Sequence, residues 1–388
     1  MQHQSDSLNK LAAFSMIALA PNPWFSQWMN RQQLLSRMGQ FAEVLYSNGL
    51  PYSWQLPSPA ALFKQPTGRT QHTDNVQLYL PSSLQFRMPK LPVVDRWAMR
   101  HFGQRLSRYT NRQKQRVLYI FHPAYSPYMD VIDHDILVYH PYDNFSKQGE
   151  FSQELRHNEA RLMKSANLVI TPSVGVSSEL GQTYGRAEVE TVHNGVDFAH
   201  FSAYAATDNR PRTGQKTNIA YIGSINLKLD MDALLWIAKH ISHATLHLVG
   251  PVGQMGAKQA AFDQLKAMPN VQLHGPKSHM ELPAIAATMD CLLMCYDTSP
   301  SLWAQHAYPL KLNEYLAVKK PVVSCPLPSV PGIEHYVDIA ATPSEWQQRI
   351  DGIIAGNYHK TEAGFEYASR QDWMTRVAQI AELLDTVK

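Results

Sequence analysis

The segment YPLKLNEYLAVKKPVVS, residues 308–324, decides the fold, because it joins a short helix to a β-branched strand as parallel α/β sheets do. Pro309 predicts the start of the helix, since the amide that proline lacks would have no partner in a first turn. Unpaired amides and the helix dipole make such a start a site for an anion such as a diphosphate. The amides in question belong to Leu310, Lys311 and Leu312.

The two charged residues of this helix fit the same interpretation. The Lys311 ammonium would add a positive charge beside the anion. Glu314, one turn further along, could accept two hydrogen bonds from a vicinal diol such as a ribose. On spacing alone, an ordinary amphipathic helix with its charges in water explains the segment equally well.

Strand-like and helix-like runs alternate along almost the whole chain, which predicts an α/β protein with two Rossmann-like parallel sheets facing across a cleft. The predicted strands are 14–20, 76–80, 117–121, 136–140, 168–173 and 189–195 in the first half and 218–223, 245–250, 271–275, 291–296 and 321–325 in the second. The predicted helices are 30–47, 92–112, 150–164, 230–241, 256–267, 279–289 and 309–319. A polar stretch, 202–217, predicts the boundary between the two domains.

Composition describes a globular protein: 388 residues, 44% hydrophobic and 17% charged, with no apolar run long enough to span a membrane. The apolar residues 11–21 could be a signal-peptide core, but a buried first strand is the preferred interpretation. Three cysteines, Cys291, Cys295 and Cys325, are too few for a disulfide framework, which favours a cytoplasmic location.

Positive charge is concentrated between Arg87 and Arg116. Nine basic residues and one acidic residue give this segment +8, and since the whole chain carries +3 the remainder carries −5. Residues 92–116 are predicted to form a basic amphipathic helix that contacts an anionic membrane surface. A solvated helix face is the alternative, and nucleic-acid binding is disfavoured because the segment lacks the interleaved aromatic motif of nucleic-acid-binding proteins.

The segment 308–324 resembles the donor-site signature of retaining GT-B glycosyltransferases of the family 4, or group 1, type, which assemble bacterial exopolysaccharides and cell-wall glycans. The likeness extends to TVHNGVDFAHF (191–201), IAYIGSINLKLDMDALLWIA (219–238), NVQLHG (270–275), ELPAIAATMDCLLMCY (281–296) and YASRQDWMTRVAQIAELL (367–384). The resemblance implies an N-terminal acceptor domain over 1–205, a linker over 206–217, a donor domain over 218–365, and a C-terminal helix over 366–388 that crosses back to the first domain.

The resemblance also implies roles for residues of the donor domain. Glu314 would bind the ribose, the three amides the diphosphate, and Gly223 would turn the chain beside the donor. The nucleobase would pack near Gly275, Pro276 and Lys277. This sequence departs from the family at His306, where a sugar-binding glutamate is usual, and at Ser224, where an arginine is usual, while Lys228 matches a family lysine only loosely.

In the first domain, His122 and Asp143 follow predicted strands and are the candidate catalytic residues, although each could instead serve a turn. Trp24 and Arg31 are candidates for acceptor binding, although a tryptophan is more often core. No metal and no cofactor beyond the nucleotide-sugar is predicted.

The resemblance implies transfer of a sugar from a nucleotide-sugar to a polysaccharide or lipid-linked oligosaccharide. The expected donor is a UDP-sugar, and the expected location is the inner face of the cell membrane. Two alternatives stay open. One is a catalytically silent partner in a polysaccharide assembly complex, and the other is a sugar-nucleotide epimerase of the same architecture.

Overall fold

The computed structural model describes residues 2–26, 28–55, 70–82, 85–147, 151–205, 216–299 and 302–387. The chain forms two compact units. Unit 1 comprises Met1–Pro172, Val176–Val192 and Met374–Lys388, and unit 2 comprises Ser173–Gly175 and His193–Trp373. Most of the predicted linker, residues 206–215, lies outside the described residues.

Unit 1 contains an eight-stranded sheet of order β3-β4-β2-β1-β5-β6-β7-β8. Its strands are β1 Phe14–Leu19, β2 Glu43–Ser47, β3 Thr70–Thr73, β4 Val76–Tyr79, β5 Gln115–Ile120, β6 Ile136–Tyr139, β7 Leu168–Thr171 and β8 Glu190–Thr191. All neighbours are parallel except β3 and β4. All six residues of β1 are buried between β2 and β5, so the predicted first strand is confirmed.

Five helices of the described residues accompany this sheet in chain order: α1 Gln2–Asn9, α2 Asn30–Met38, α3 Pro92–Ser107, α4 Gln153–Ser165 and α5 Val174–Tyr184. The predicted helix 30–47 is wrong beyond Met38, where β2 begins soon after the helix ends. Val44, Leu45 and Tyr46 are consecutive buried residues, as in a strand covered on both faces, rather than positions on one face of a helix.

The predicted basic helix 92–116 is also too long. Helix α3 ends at Ser107, so Arg112 lies beyond it. Arg116 belongs to β5, where its guanidinium pairs with Asp135 at 2.7 Å. The basic surface of the helix is therefore confined to residues 92–107 and its C-cap.

Unit 2 contains a six-stranded sheet of order β11-β10-β9-β12-β13-β14, parallel throughout. Its strands are β9 Thr217–Ile222, β10 Ala244–Val249, β11 Val271–Gly275, β12 Cys291–Met294, β13 Val322–Ser324 and β14 Asp338–Ile339. Its helices are α6 Phe198–Ser202, α7 Met231–His240, α8 Gln259–Lys266, α9 Leu282–Ala287, α10 Leu310–Ala317, α11 Pro343–Ile354 and α12 Thr361–Ser369, and α13 Trp373–Thr386 continues into unit 1. Two parallel-sheet α/β units are thus confirmed.

The chain passes from unit 1 to unit 2 after Val192, before the predicted linker. Hydrogen bonds explain this position, because the Asn194 side chain donates to the Tyr308 carbonyl at 2.8 Å. In return, the Asn313 amide donates to the Asn194 carbonyl at 2.9 Å. Residues 193–205 therefore fold with unit 2 rather than with the first domain, to which the sequence assigned them.

None of the helices in the described ranges has the length and apolar content needed to cross a membrane.

Candidate functional site

Three strands of unit 2 end in glycines that lie side by side. Gly223 follows β9, Gly250 follows β10, and Gly275 closes β11. The Gly223 amide donates to Val249 at 2.8 Å and the Gly250 amide to Gly275 at 2.9 Å. Gly223 and Gly250 have φ angles of 148° and 144°, and a Cβ on Gly250 would clash with the Gly223 carbonyl. The surface at this edge of the sheet is therefore formed by glycine backbone.

The Lys311 side chain lies directly over the Gly223 turn. A Cβ on Gly223 would come within 2.8 Å of Lys311 Nζ, which shows how closely the ammonium approaches the backbone. Nζ donates to the Tyr296 hydroxyl at 2.8 Å and to the Tyr221 hydroxyl at 3.2 Å. It also lies 5.1 Å and 4.8 Å from the centres of the same two rings. Two tyrosines thus hold the predicted phosphate-binding lysine beside the predicted turn glycine.

Burial lowers the pKa of Lys311 to about 8, and the charge of Lys228 acts in the same direction while Glu314 opposes it. In the described part of the chain no carboxylate forms an ion pair with this ammonium. An anion bound here would supply the missing counter-charge.

The start of α10 differs in detail from the prediction. Pro309 is the N-cap and the helix begins at Leu310. The Leu312 amide already donates to the Pro309 carbonyl at 3.2 Å, so it is less available to a ligand than predicted. Within the described residues, the Leu310 and Lys311 amides have no such partner.

Tyr315 fixes α10 against the end of β9. Its hydroxyl accepts from the Ile222 amide at 2.8 Å and donates to the Ile222 carbonyl at 3.1 Å. Because Ile222 immediately precedes Gly223, this phenol sets the helix start against the glycine turn.

Glu314 lies one turn beyond Lys311, with its side chain 20% exposed. One of its oxygens is 3.6 Å from Nε2 of His279, which the sequence analysis did not identify. The signal was present, since His279 follows the predicted nucleobase segment by two residues. Of that segment, the structure places Gly275 at the sheet edge and leaves Pro276 and Lys277 exposed.

The remaining donor-site candidates separate into two groups. Lys228 Nζ lies 4.5 Å above the Trp303 ring, which packs edge-on to Tyr296 at 5.0 Å, so Lys228 joins the surroundings of Lys311. Ser224 contributes its carbonyl, which accepts from Tyr221 at 3.1 Å. His306 is tied elsewhere: its carbonyl accepts from the Ser173 hydroxyl, and Nδ1 is 3.4 Å from the Gly175 carbonyl.

In unit 1, His122 caps the 3₁₀ turn Pro123–Asp130, and its Nδ1 accepts from the Ala124 amide at 3.1 Å. Burial, aided by the charge of Arg31, lowers the pKa of His122 to about 4. The imidazole is therefore neutral near pH 7, with its proton on Nε2. Asp143 Oδ1 accepts from the amide of the next residue, Asn144, at 2.9 Å.

The two acceptor candidates differ in their surroundings. Trp24 is 2% exposed, its indole donates to Asp74 at 3.0 Å, and it packs against Tyr46, so the structure favours the core interpretation. Arg31 is 1% exposed and lies 4.2 Å above the Tyr142 ring. Among the described residues, no group of three or more His, Cys, Asp and Glu side chains could hold a metal ion.

Known proteins resemble this chain in sequence over part of its length and in fold over most of it. No family model matches the chain. A curated protein of Bacillus subtilis, named as the putative teichuronic acid biosynthesis glycosyltransferase TuaH, is 31% identical over 237 residues. The match spans 58% of this chain and 58% of that relative's length.

Solved structures resemble almost the whole chain. Anabaena HepE in complex with UDP aligns over 96% of this chain and 99% of its own, with a TM-score of 0.66 and 16% identity. Sucrose-phosphate synthase of Thermosynechococcus elongatus aligns over 96% and 99%, with a TM-score of 0.71 and 12% identity. The chain therefore has the GT-B fold, and its predicted resemblance to bacterial GT-B glycosyltransferases is confirmed in fold and in sequence similarity.

Proposed function

We propose that the protein is a glycosyltransferase that moves a sugar from a nucleoside diphosphate sugar to a polysaccharide or lipid-linked oligosaccharide, with retention of configuration at the anomeric carbon. The observation that carries the proposal is the position of Lys311, which Tyr221 and Tyr296 hold against the Gly223 turn. Glu314 lies one helical turn further on, at a distance suited to the sugar of a nucleotide.

The chemistry follows from this position. When the glycosidic bond to the donor breaks, negative charge develops on the leaving diphosphate, and a fixed cation stabilises that charge. Lys311 supplies the cation, and the amides of Leu310 and Lys311 supply donors at a helix start. The glycines at the sheet edge let the diphosphate approach the backbone closely.

The relatives support the identity of the substrates. HepE has been solved with UDP and with UDP and glucose, which supports a UDP-sugar as donor. TuaH is named for teichuronic acid biosynthesis, which supports a growing cell-wall polysaccharide as acceptor. In unit 1, His122 and Asp143 stay the proposed catalytic residues.

Calorimetric titration with UDP and GDP tests the donor site. UDP should bind more tightly than GDP, and Glu314→Gln should weaken UDP about tenfold, since a charged hydrogen bond to the ribose hydroxyls is lost. Glu366→Gln, an exposed exchange on α12, is the matched control and should leave the affinity unchanged. If neither nucleotide binds, or if Glu314→Gln binds UDP as the wild type does, the donor-site proposal is wrong.

Turnover distinguishes the two alternative functions. A transferase releases UDP from a UDP-sugar in proportion to added acceptor, whereas an epimerase converts the donor with no acceptor present. A silent partner binds the nucleotide and turns nothing over. The anomeric configuration of the product, read by NMR, tests retention.

We also propose that α3 rests on an anionic membrane surface, at the cytoplasmic face. Val93 is 74% exposed and Trp97 is 68% exposed, and the exposed basic residues Arg96 and Arg100 lie beside them. A tryptophan between basic residues suits the headgroup region of a membrane. Each basic residue there contributes about 1 kcal/mol to the free energy of binding to anionic lipid. The opposite face of the helix, with Met99, is buried.

Flotation with liposomes containing anionic lipid tests this contact. The double exchange Arg96→Glu and Arg100→Glu should abolish flotation, and Trp97→Ser should weaken it. Arg370→Glu, an exposed charge reversal in unit 2, is the control. Flotation that is unchanged by Arg96→Glu and Arg100→Glu and by Trp97→Ser would contradict the membrane proposal.

A further inference from the structure

The basic side chain of Arg31 occupies an unusual position in unit 1. It is the second residue of α2 and is almost completely buried. The first turn of α2 contains no acidic residue. The positive end of a helix dipole is an unfavourable place for a cation, so the fold concentrates positive potential there instead of cancelling it.

The guanidinium also lacks hydrogen-bond partners. Nε and Nη1 of Arg31 are excluded from solvent, and in the described ranges neither atom has an acceptor. The ionisable groups that act on its pKa are the phenols of Tyr142, Tyr46 and Tyr125. Burial raises the pKa of each of the three, so these phenols are neutral at pH 7.

Contact with a ring face does not replace the missing acceptors. The guanidinium lies 4.2 Å from the centre of the Tyr142 ring, an attractive geometry. That contact leaves the in-plane N–H groups of Arg31 without partners, and a buried donor without a partner destabilises a fold. Arginine presents these donors as a planar fork that matches a carboxylate or a phosphate.

Two polar groups near Tyr142 in space or in sequence are further donors, and the carboxylate of Asp143 is also close enough to act on the Tyr142 phenol. His122, whose ring centre is 6.5 Å from that of Tyr142, is neutral and carries its proton on Nε2. Two residues after Tyr142, the buried Nδ2 of Asn144 has no partner in the described part of the chain. A collection of donors without acceptors is complementary to an anionic oxygen group.

We propose that Arg31, with Tyr142 beneath it and His122 beside it, binds an anionic oxygen group of the acceptor, so that the acceptor is an acidic saccharide or a sugar phosphate rather than a neutral sugar. The assignment of the bound anion to the acceptor rests on the proposed transferase function, whereas the anion site rests on unit 1 alone. Arg31 is a specificity-determining residue for the acceptor in this proposal, and Trp24 serves only as core packing against Tyr46.

Thermal unfolding and calorimetry of the full chain test the proposal with four probes: sodium glucuronate, glucose 6-phosphate, neutral glucose, and potassium chloride at matched ionic strength. One of the two anionic sugars should bind and raise the midpoint of unfolding, and glucose and the salt should not. If the anionic group of the acceptor is a carboxylate, glucuronate should bind and raise the midpoint of unfolding. If it is a phosphate, glucose 6-phosphate should do so.

The variant Arg31→Met separates a binding role from a structural one. It should bind the responding anion at least tenfold more weakly and should unfold at the same temperature as the wild type or higher, because it removes a buried charge without a partner. Arg31→Lys keeps the charge but loses the planar set of N–H donors, so it should weaken binding less than Arg31→Met does. UDP should bind both variants as it binds the wild type, so a failure of the donor site is recognised separately.

Two results would overturn the proposal. The first is a wild-type protein that responds to neither anionic sugar, or equally to glucose. The second is an Arg31→Met protein that does not fold or that unfolds well below the wild type, since the guanidinium would then be part of the core.

Discussion

Lys311 in unit 2 and Arg31 in unit 1 are both the second residue of a helix, and in the described part of the chain neither has an ion-pair partner. Their surroundings differ. Lys311 donates to two tyrosine hydroxyls, so its position is set before any ligand binds. Arg31 has a ring face below it and two N–H groups without acceptors. If both proposals hold, the Lys311 site is organised before its ligand binds, whereas the Arg31 site is completed by its ligand.

The largest effect is expected in the backbone beneath Lys311. Gly250→Ala should lower the free energy of unfolding by about 3 kcal/mol, because its Cβ would clash with the Gly223 carbonyl at a strained φ. Urea unfolding measures the change. Gly352→Ala in α11 is the control, since its Cβ would meet no atom within 4 Å and the exchange should stabilise the helix by up to about 1 kcal/mol.

Equal stability of Gly250→Ala and the wild type would show that the sheet edge can shift, so that Lys311 is not held over a rigid turn.

A smaller effect is expected at the tyrosine that holds Lys311. Tyr296→Phe should weaken UDP binding about fivefold at pH 7.5, since an acceptor of the ammonium is lost. In the wild type, UDP affinity should fall as the pH rises through about 8, where Lys311 loses its proton. In Tyr296→Phe the same fall should begin at lower pH, because the acceptor that stabilised the ammonium is absent.

Calorimetry at a series of pH values checks both parts. Tyr336→Phe, a partly exposed exchange in the same unit, should reproduce the wild-type pH profile. An unchanged profile in Tyr296→Phe would show that the hydroxyl does not set the charge of Lys311.

The smallest effect is expected at His279. Its imidazole is 3.6 Å from Glu314 and both side chains are partly exposed, so the contact is worth about 0.5 kcal/mol. His279→Gln should therefore weaken UDP binding only about twofold. Exposed His335→Gln is the matched control in the same titration. A loss of tenfold or more would give His279 a direct part in nucleotide binding.

The sequence predicts much of the fold because strands covered on both faces of a parallel sheet are continuous apolar runs. Strands β9, β10 and β12 are such runs, and each was predicted within a few residues of its bounds. Strand β2 was missed because no proline separates it from α2, and Gly39, which ends that helix, was interpreted as part of it. Strand β3 is short and lies at the sheet edge, where it carries no apolar run.

The candidate site was predictable only where one short segment contains its parts. Gly223, Lys311 and Glu314 belong to recognisable motifs, and the structure places Lys311 against Gly223. Tyr221 and Tyr296 were not predictable as partners of Lys311, because Tyr221 lies in β9, Tyr296 follows β12, and both look like ordinary core residues in sequence.

The anion site in unit 1 shows the same limit. Arg31 could be singled out in the sequence, but the absence of any acceptor for its Nε and Nη1 in the described residues depends on tertiary structure. The periodicity of apolar residues in a sequence does not show whether a buried cation has a partner.

The ratio of the affinities for UDP and uridine shows whether Lys311, at the start of α10, binds the diphosphate of a nucleotide. The wild type should bind UDP about 100-fold more tightly than uridine, and in Lys311→Met the ratio should fall below about tenfold, with uridine binding unchanged. Lys239→Met, an exposed exchange on α7, should keep the wild-type ratio. A ratio that is the same in Lys311→Met and in the wild type would contradict the account.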